Sequence, residues 1–321
     1  MKTRIVGTGS YVPEKVVTNL ELETLVETND EWIKERTGIA SRHIAIDEET
    51  TDLAYKAADR ALENAGMKGD EIDLIIAASI TSNSVVPSLS CMVQAHVNAE
   101  HATCFDINAA CSGFVYALHI ADCMMQTGLY KTALILGAET LSKITNWEDR
   151  GTCILFGDGA GAAVLKADDN YGILNQDLGA IGKKGMAVYC HGQSIRNHWV
   201  PKSMEENYLV MNGGEVFKFA VSTVPSSVKK VIGDAGLDPE QIKYYILHQA
   251  NFRIVEAVAK RMKCDLSKLP VSMDRYGNTS SASVPIMLDE VNRAGKLKEG
   301  DYLILSGFGG GLTWASVVLQ W

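Results

Sequence analysis

The sequence predicts an α/β protein built from two related halves, and three observations carry that expectation. A helix–turn–strand segment, Asn64-Ala65-Gly66-Met67-Lys68-Gly69-Asp70-Glu71-Ile72-Asp73-Leu74-Ile75-Ile76, has an ungapped echo from Asp234 to Ile246, with Ala235 lying 170 positions after Ala65. A second echo, Leu134-Ile135-Leu136-Gly137 against Leu303-Ile304-Leu305-Ser306, has an offset of 169. The stretches before each copy, Thr51 to Asn64 and Phe219 to Asp234, carry apolar residues at three- and four-residue intervals, the helical period. Two copies of one unit follow, with halves at 1–168 and 169–321.

The elements follow in order. Lys2 to Gly7 is a strand pattern that starts at once, leaving no room for a signal peptide. Thr103 to Ala110 is an apolar, strand-like run, and a helical pattern, Ser112 to Ala121, follows Cys111. In the second half, the strand Tyr244–Ile246 leads into Leu247-His248-Gln249-Ala250-Asn251. The small-residue run Tyr276-Gly277-Asn278-Thr279-Ser280-Ser281-Ala282-Ser283 opens a helix with Pro285 near its first turn. Strands Tyr302–Ser306 and Trp314–Gln320 flank Gly307-Phe308-Gly309-Gly310-Gly311-Leu312-Thr313, where glycines let backbone approach a ligand. Under the 170 offset His248 matches Ala78, and under the 169 offset Cys111 matches Ser280, beside Asn278. Cys111, His248 and Asn278 therefore fall at strand ends, where α/β proteins collect active groups.

Composition narrows the function. The chain has 321 residues, 46% hydrophobic and 21% charged, the make-up of a soluble globular protein. No apolar run reaches membrane-spanning length. Seven cysteines, an odd and scattered set without a CxxC pair, argue for a reducing cytoplasm and against zinc or disulfides. A net charge of −9 excludes general nucleic-acid binding. A thiol at a strand-to-helix junction sits where N–H groups and the helix dipole favour an anion, which lowers its pKa. Cys111 is thus the candidate nucleophile.

In this order and spacing, the motifs resemble one family across essentially the whole chain: β-ketoacyl-acyl-carrier-protein synthase III, the initiating condensing enzyme of the thiolase-like superfamily. The likeness runs from Gly7-Thr8-Gly9-Ser10-Tyr11-Val12-Pro13 and Trp32-Ile33-Lys34-Glu35-Arg36-Thr37-Gly38 through Ala110-Cys111-Ser112-Gly113-Phe114 and Asp149-Arg150-Gly151-Thr152. It continues through Phe156-Gly157-Asp158-Gly159-Ala160-Gly161 to the HQAN, YGNTS and FGGGLTW runs. The resemblance implies a layered αβαβα fold with pseudo-twofold halves. It also implies a Cys111–His248–Asn278 catalytic set and a decarboxylative condensation of a starter acyl-CoA with malonyl-acyl carrier protein, initiating type II fatty-acid synthesis. Backbone N–H groups of Cys111 and Gly310 would form the oxyanion hole. Asparagine, rather than a second histidine, points to the initiating type.

The same resemblance implies Trp32, Arg36, Arg150 and Asn251 as the CoA-binding set, with Trp32 and Arg150 sandwiching the adenine. Lys218, Arg253, Lys260 and Arg261 would meet the acidic carrier protein, since a basic patch on an acidic protein steers such a partner. Val86, before Pro87, stands where acetyl-primed relatives have phenylalanine reaching into the partner subunit's acyl pocket, so a longer or branched starter is expected. A cytoplasmic homodimer without metal or redox cofactor, nucleic acid or membrane is the implied state. Two rivals are a related acyltransferase or secondary-metabolite priming enzyme and a non-catalytic acyl-CoA or carrier-protein binding protein. The glycines at 7 and 9 lack the third of a dinucleotide loop. Phe156–Gly161 reads as a strand-linking turn, and Cys190, His191 and His198 match no familiar metal spacing.

Overall fold

The computed structural model describes residues 1–192, 199 and 207–321. The first part runs β1 (Lys2–Tyr11), β2 (Lys15–Thr18), α1 (Asn19–Leu22), α2 (Asp30–Thr37), β3 (Ser41–Ile44), α3 (Thr50–Ala65) and β4 (Leu74–Ala78). It continues with α4 (Leu89–Val97), β5 (Thr103–Ile107), α5 (Gly113–Gln126), β6 (Thr132–Thr140), α6 (Arg150–Cys153) and β7 (Asp158–Asp168). The second part has β8 (Gly172–Ala180), β9 (Val188–Tyr189), β10 (Val210–Met211), α7 (Gly213–Asp234), β11 (Ile242–Leu247) and α8 (Phe252–Met262). It ends with α9 (Met273–Tyr276), α10 (Ser283–Arg293), β12 (Tyr302–Gly309) and β13 (Thr313–Gln320).

Two sheets dominate. One has the order β1-β7-β6-β4-β5 and the other β8-β13-β12-β11, so corresponding strands occupy corresponding places and, among the described residues, only β5 lacks a counterpart. In both, the strand nearest the chain start pairs antiparallel and the βα crossover pair is parallel. Side chains alternate across each strand, and the alternation builds the layers. Ala133 and Ile135 of β6 and Leu303 and Leu305 of β12 face a common central core filled by Phe114, Leu118, Val284 and Leu288 of α5 and α10. Leu134 and Leu136 face outward onto α3 and α4. Ile304 and Phe308 face outward onto α7 and α8. The result is five layers, αβαβα, with α5 and α10 in the middle.

This packing corrects the second sequence echo. At an offset of 169, Leu134 would match Leu303, yet the first faces the outer helices and the second the central ones. At 170, Ala133 matches Leu303 and Leu134 matches Ile304, and every side chain falls on the corresponding face. A slip of one residue in a strand reverses all its faces, so the repeated Leu-Ile-Leu letters misled the alignment. Two further expectations change. Residues Asp158 to Gly161 of the expected strand-linking turn are the first residues of β7. The strand before Cys111 ends at Ile107, and α5 starts only at Gly113.

Candidate active site

Between β5 and α5 the chain makes a single 3₁₀ turn, Ala110–Ser112, and before α10 it makes another, Ser280–Ala282. Both begin with a non-glycine residue in the left-handed region, Ala110 at φ 45° and Ser280 at φ 50°. The turns correspond at an offset of 170, so Cys111 matches Ser281, not Ser280. Each turn is received by a glycine of the opposite sheet. A Cβ on Gly307 would stand 2.9 Å from Cα of Ser112, and one on Gly137 would stand 2.3 Å from the Ser281 carbonyl oxygen. No side chain fits at either place, which explains the glycines in two strands that otherwise favour bulky residues.

The two turns meet beneath a cavity of about 570 Å³ whose lining includes Cys111, His248 and Asn278. His248 follows β11 and is 2% exposed, held by its N–H to the Ser306 carbonyl at 2.8 Å. Its Nδ1 lies 2.6 Å from Ser283 Oγ, and its ring meets Phe308 edge-on at 5.1 Å. Burial pushes the imidazole down to about 3, so it is neutral. Asn278 is 6% exposed and stitched to Leu155 and Gly157 through its backbone. Its Oδ1 accepts the Ser280 N–H at 2.9 Å, leaving the Nδ2 donors without a partner among the described residues.

Around Cys111 the sequence expectation of a lowered pKa is reversed. Burial is the largest influence and pushes the thiol up to about 11, and the buried Glu139 carboxyl adds in the same direction. Ser280 and the N–H groups of Gly310 and Cys111 itself pull the other way. The helix dipole begins two residues further on, at Gly113, which weakens the expected help. Gly309 must be glycine for the same closeness: a Cβ there would stand 2.9 Å from the Cys111 sulfur.

The other sequence-derived residues divide by location. Trp32, Arg36, Asn251, Lys218, Arg253 and Gly310 line the same cavity. The Arg150 guanidinium lies directly over the Trp32 ring, 4.9 Å from its centroid, and donates to the Glu27 carbonyl at 3.0 Å. The two groups are therefore stacked on one another, and a base between them would have to part them. Asn251 caps α8 through Oδ1 and donates from Nδ2 to the Arg36 carbonyl at 3.0 Å. Lys260 and Arg261 sit at the far end of α8, outside the cavity lining. Val86 stands 83% exposed on the loop before α4, away from its own chain's cavity. Among the described residues no cluster of three His, Cys, Asp or Glu could hold a metal, and His198 lies outside them. No helix among them is long and apolar enough to cross a membrane.

Three residues beneath the site escaped the sequence reading: Ser280, Ser283 and Glu139. The serines stand in the Asn278–Ser283 run, where small residues looked like turn formers. Glu139 ends the apolar run of β6, and a charged residue in a fully buried strand was the available signal.

The model of 3-oxoacyl-[acyl-carrier-protein] synthase III matches residues 105–182, and that of its C-terminal part matches residues 232–321. The chain is 50% identical over 318 residues to the β-ketoacyl-[acyl-carrier-protein] synthase III of Clostridium acetobutylicum, covering 99% of this chain and 98% of the relative. The crystal structure of 3-oxoacyl-[acyl-carrier-protein] synthase III from Aquifex aeolicus superposes with a TM-score of 0.93 at 43% identity, covering 99% of this chain and all of that one. The priming β-ketosynthase of the R1128 polyketide biosynthetic pathway gives a TM-score of 0.94 at 35% identity, covering 99% and 96%.

Proposed function

The chain belongs to the β-ketoacyl-acyl-carrier-protein synthase III family, and we propose that it performs the family's initiating condensation through an acyl-Cys111 intermediate. It is an acyltransferase of fatty-acid synthesis, joining a starter acyl-CoA to malonyl-acyl carrier protein. The observation that carries the mechanism is one cavity in which a thiol, a neutral imidazole and a carboxamide whose Nδ2 has no partner among the described residues converge. Cys111 attacks the starter thioester, and the N–H groups of Cys111 and Gly310, which favour negative charge at this point, receive the oxyanion.

His248 and Asn278 serve the second half of the reaction. Loss of carbon dioxide from the malonyl group places negative charge on its thioester oxygen, and donors fixed there stabilise the transition state more than the substrate. The Ser283 hydroxyl, 2.6 Å from His248 Nδ1, fixes the ring, and with its proton on Nε2 the neutral imidazole is a donor. The resulting carbanion attacks the acyl-cysteine. Nothing in this sequence of steps calls for a metal or redox cofactor.

Trp32, Arg36, Arg150 and Asn251 form the CoA site in this reading, with Arg150 lifting off Trp32 to admit the adenine. Trp32→Ala is expected to raise KM for acyl-CoA about tenfold with little change in kcat, a loss of roughly 1.4 kcal/mol of stacking. An equal fall in kcat at unchanged KM would assign the tryptophan a different role. Lys218 and Arg253, exposed at the cavity, guide the carrier protein's acidic surface in this reading, and Lys260 and Arg261 extend that basic surface along α8.

A second copy of the chain would cover the Val85–Val86 tip, each residue 83% exposed, and the open edge of β5. In such a homodimer Val86 leaves more room in the partner's acyl pocket than phenylalanine does. Val86→Phe is expected to shift kcat/KM from isobutyryl- and octanoyl-CoA toward acetyl-CoA. A strong acetyl preference in the unaltered protein that the substitution leaves unchanged would contradict the size argument. The halves divide at 168/169, and the protein works in the cytoplasm.

The overall reading is tested by supplying the purified protein with acyl-CoA and malonyl-acyl carrier protein. Equal yields of β-ketoacyl-carrier protein, carbon dioxide and free CoA support it. Free CoA without carbon dioxide would instead favour an acyltransferase with another acceptor, the rival that the likeness to a polyketide priming enzyme keeps in view.

A further inference from the structure

The two matched turns are tied to their sheets in different ways, and the difference falls at the nucleophile. Ser281 Oγ donates to Glu139 Oε1 at 2.9 Å, so a side chain at the end of β6 anchors the second turn. At the offset of 170, Ser281 matches Cys111 and Glu139 matches Gly309. The Cys111 turn therefore lacks that anchor. No side chain fits on Gly309, because a Cβ there would stand 2.7 Å from the Cys111 Cβ and 2.9 Å from its sulfur. Room for the thiol removes the group that holds the other turn.

A tie comes instead from Thr313, the first residue of β13. Its backbone is fixed on both sides, paired with Gly309 of β12 and Ala180 of β8. Its Oγ1 donates to the Gly310 carbonyl at 2.9 Å and shares the same proton with the Ala109 carbonyl at 3.2 Å. Ser112 Oγ lies 3.0 Å from that oxygen and has a proton of its own to give it. One hydroxyl thus meets the residues on either side of Ala110-Cys111 and the glycine whose N–H receives the oxyanion in the proposed mechanism. Thr313 itself lies outside the cavity lining.

We propose that Thr313 is a positioning residue for acyl transfer, its hydroxyl clamping the glycine loop to the nucleophile turn so that the Cys111 and Gly310 N–H groups converge on one oxygen. The role rests on the acyl-Cys111 reaction and its oxyanion hole. Three successive glycines, Gly309 to Gly311, have wide backbone freedom, and an oxyanion donor is effective only where it is fixed before charge develops. The clamp supplies that fixity without entering the cavity. Loss of carbon dioxide relies on His248 and Asn278, which other groups hold. Ser306 and Ser283 fix the histidine, and Leu155 and Gly157 fix the asparagine. The clamp therefore serves the steps at the sulfur and not the decarboxylation.

Thr313→Val keeps the side chain's shape and removes the hydroxyl, whereas Thr313→Ser keeps the hydroxyl. The test is single-turnover acylation of the full chain by acyl-CoA, read by intact mass, beside decarboxylation of malonyl-acyl carrier protein without acyl-CoA. Thr313→Val is expected to slow acylation by about 10- to 10²-fold at an unchanged half-saturating acyl-CoA concentration, with decarboxylation within about twofold of normal. Thr313→Ser restores most of the acylation rate. Ser112→Ala approaches the same clamp from the other side and decides the matter even if Thr313→Val fails to fold. Alone it slows acylation about fivefold, the worth of one neutral hydrogen bond. Combined with Thr313→Val it adds nothing further, because both groups act through one contact. An unchanged acylation rate in either variant, no recovery with serine, or equal losses in both half-reactions overturns the clamp while leaving acyl-Cys111 intact. An unaltered protein that gains no adduct on Cys111 overturns both.

Discussion

Cys111→Ala is expected to abolish acyl transfer from CoA and with it all β-ketoacyl product, while malonyl decarboxylation continues. In the proposed mechanism the sulfur forms the bond to the starter, and alanine retains the Cβ against which Gly309 packs. The substitution therefore leaves the turn, the two N–H groups and the His248–Asn278 pair in place. Removal of a nucleophile that works as part of a unit costs on the order of 10⁶-fold in other enzymes, so no residual condensation is expected above background. In that mechanism His248 and Asn278 promote decarboxylation without the sulfur. The carbanion they stabilise then has no acyl partner and is quenched by a proton. Acetyl-carrier protein accumulating in place of the condensed product is the signature, read by mass spectrometry of the carrier protein. Loss of both half-reactions would mean that the thiol also shapes the malonyl site.

Asn278→Asp separates the halves in the other direction. The side chain is isosteric, and its Oδ1 can still accept the Ser280 N–H at 2.9 Å, so the loop keeps its shape. What changes is the other end, where two N–H donors become an oxygen bearing charge. Loss of one oxyanion donor typically costs 10²–10³-fold, and a like charge beside the developing enolate adds to that. Decarboxylation is expected to fall by about 10³-fold or more. Acylation of Cys111 should proceed at a near-normal rate. The measurement is a rapid release of one equivalent of CoA followed by little carbon dioxide. A variant that condenses at a normal rate would remove Asn278 from the mechanism.

Much of the fold was legible because duplication writes the same local pattern twice. The Ala65-Gly66 and Ala235-Gly236 helix ends, each with glycine at positive φ, mark one turn in two places. Strand faces were less legible: Leu134-Ile135-Leu136 is apolar on both sides, because both faces of its sheet are covered, so the letters alone could not fix the register. Cys111 and His248 stood out because each follows a strand-like apolar run, and Asn278 because it stands in a small-residue run that opens a helix. The thiol's environment did not, since its strand-to-helix position suggested an anion site and only the packing of both turns revealed how strongly burial raises its pKa. Glu139 and Ser280 were hidden for the same reason. Glu139 meets Ser281 of the other half, a relation no short motif encodes.

Intact-protein mass spectrometry, first with acyl-CoA alone and then after malonyl-acyl carrier protein is added, tests the central claim most directly. The expected result is a single acyl adduct mapped to Cys111 that disappears as β-ketoacyl-carrier protein forms in equal amount. An adduct that persists when malonyl-carrier protein is present, or condensed product without any adduct on Cys111, would contradict it.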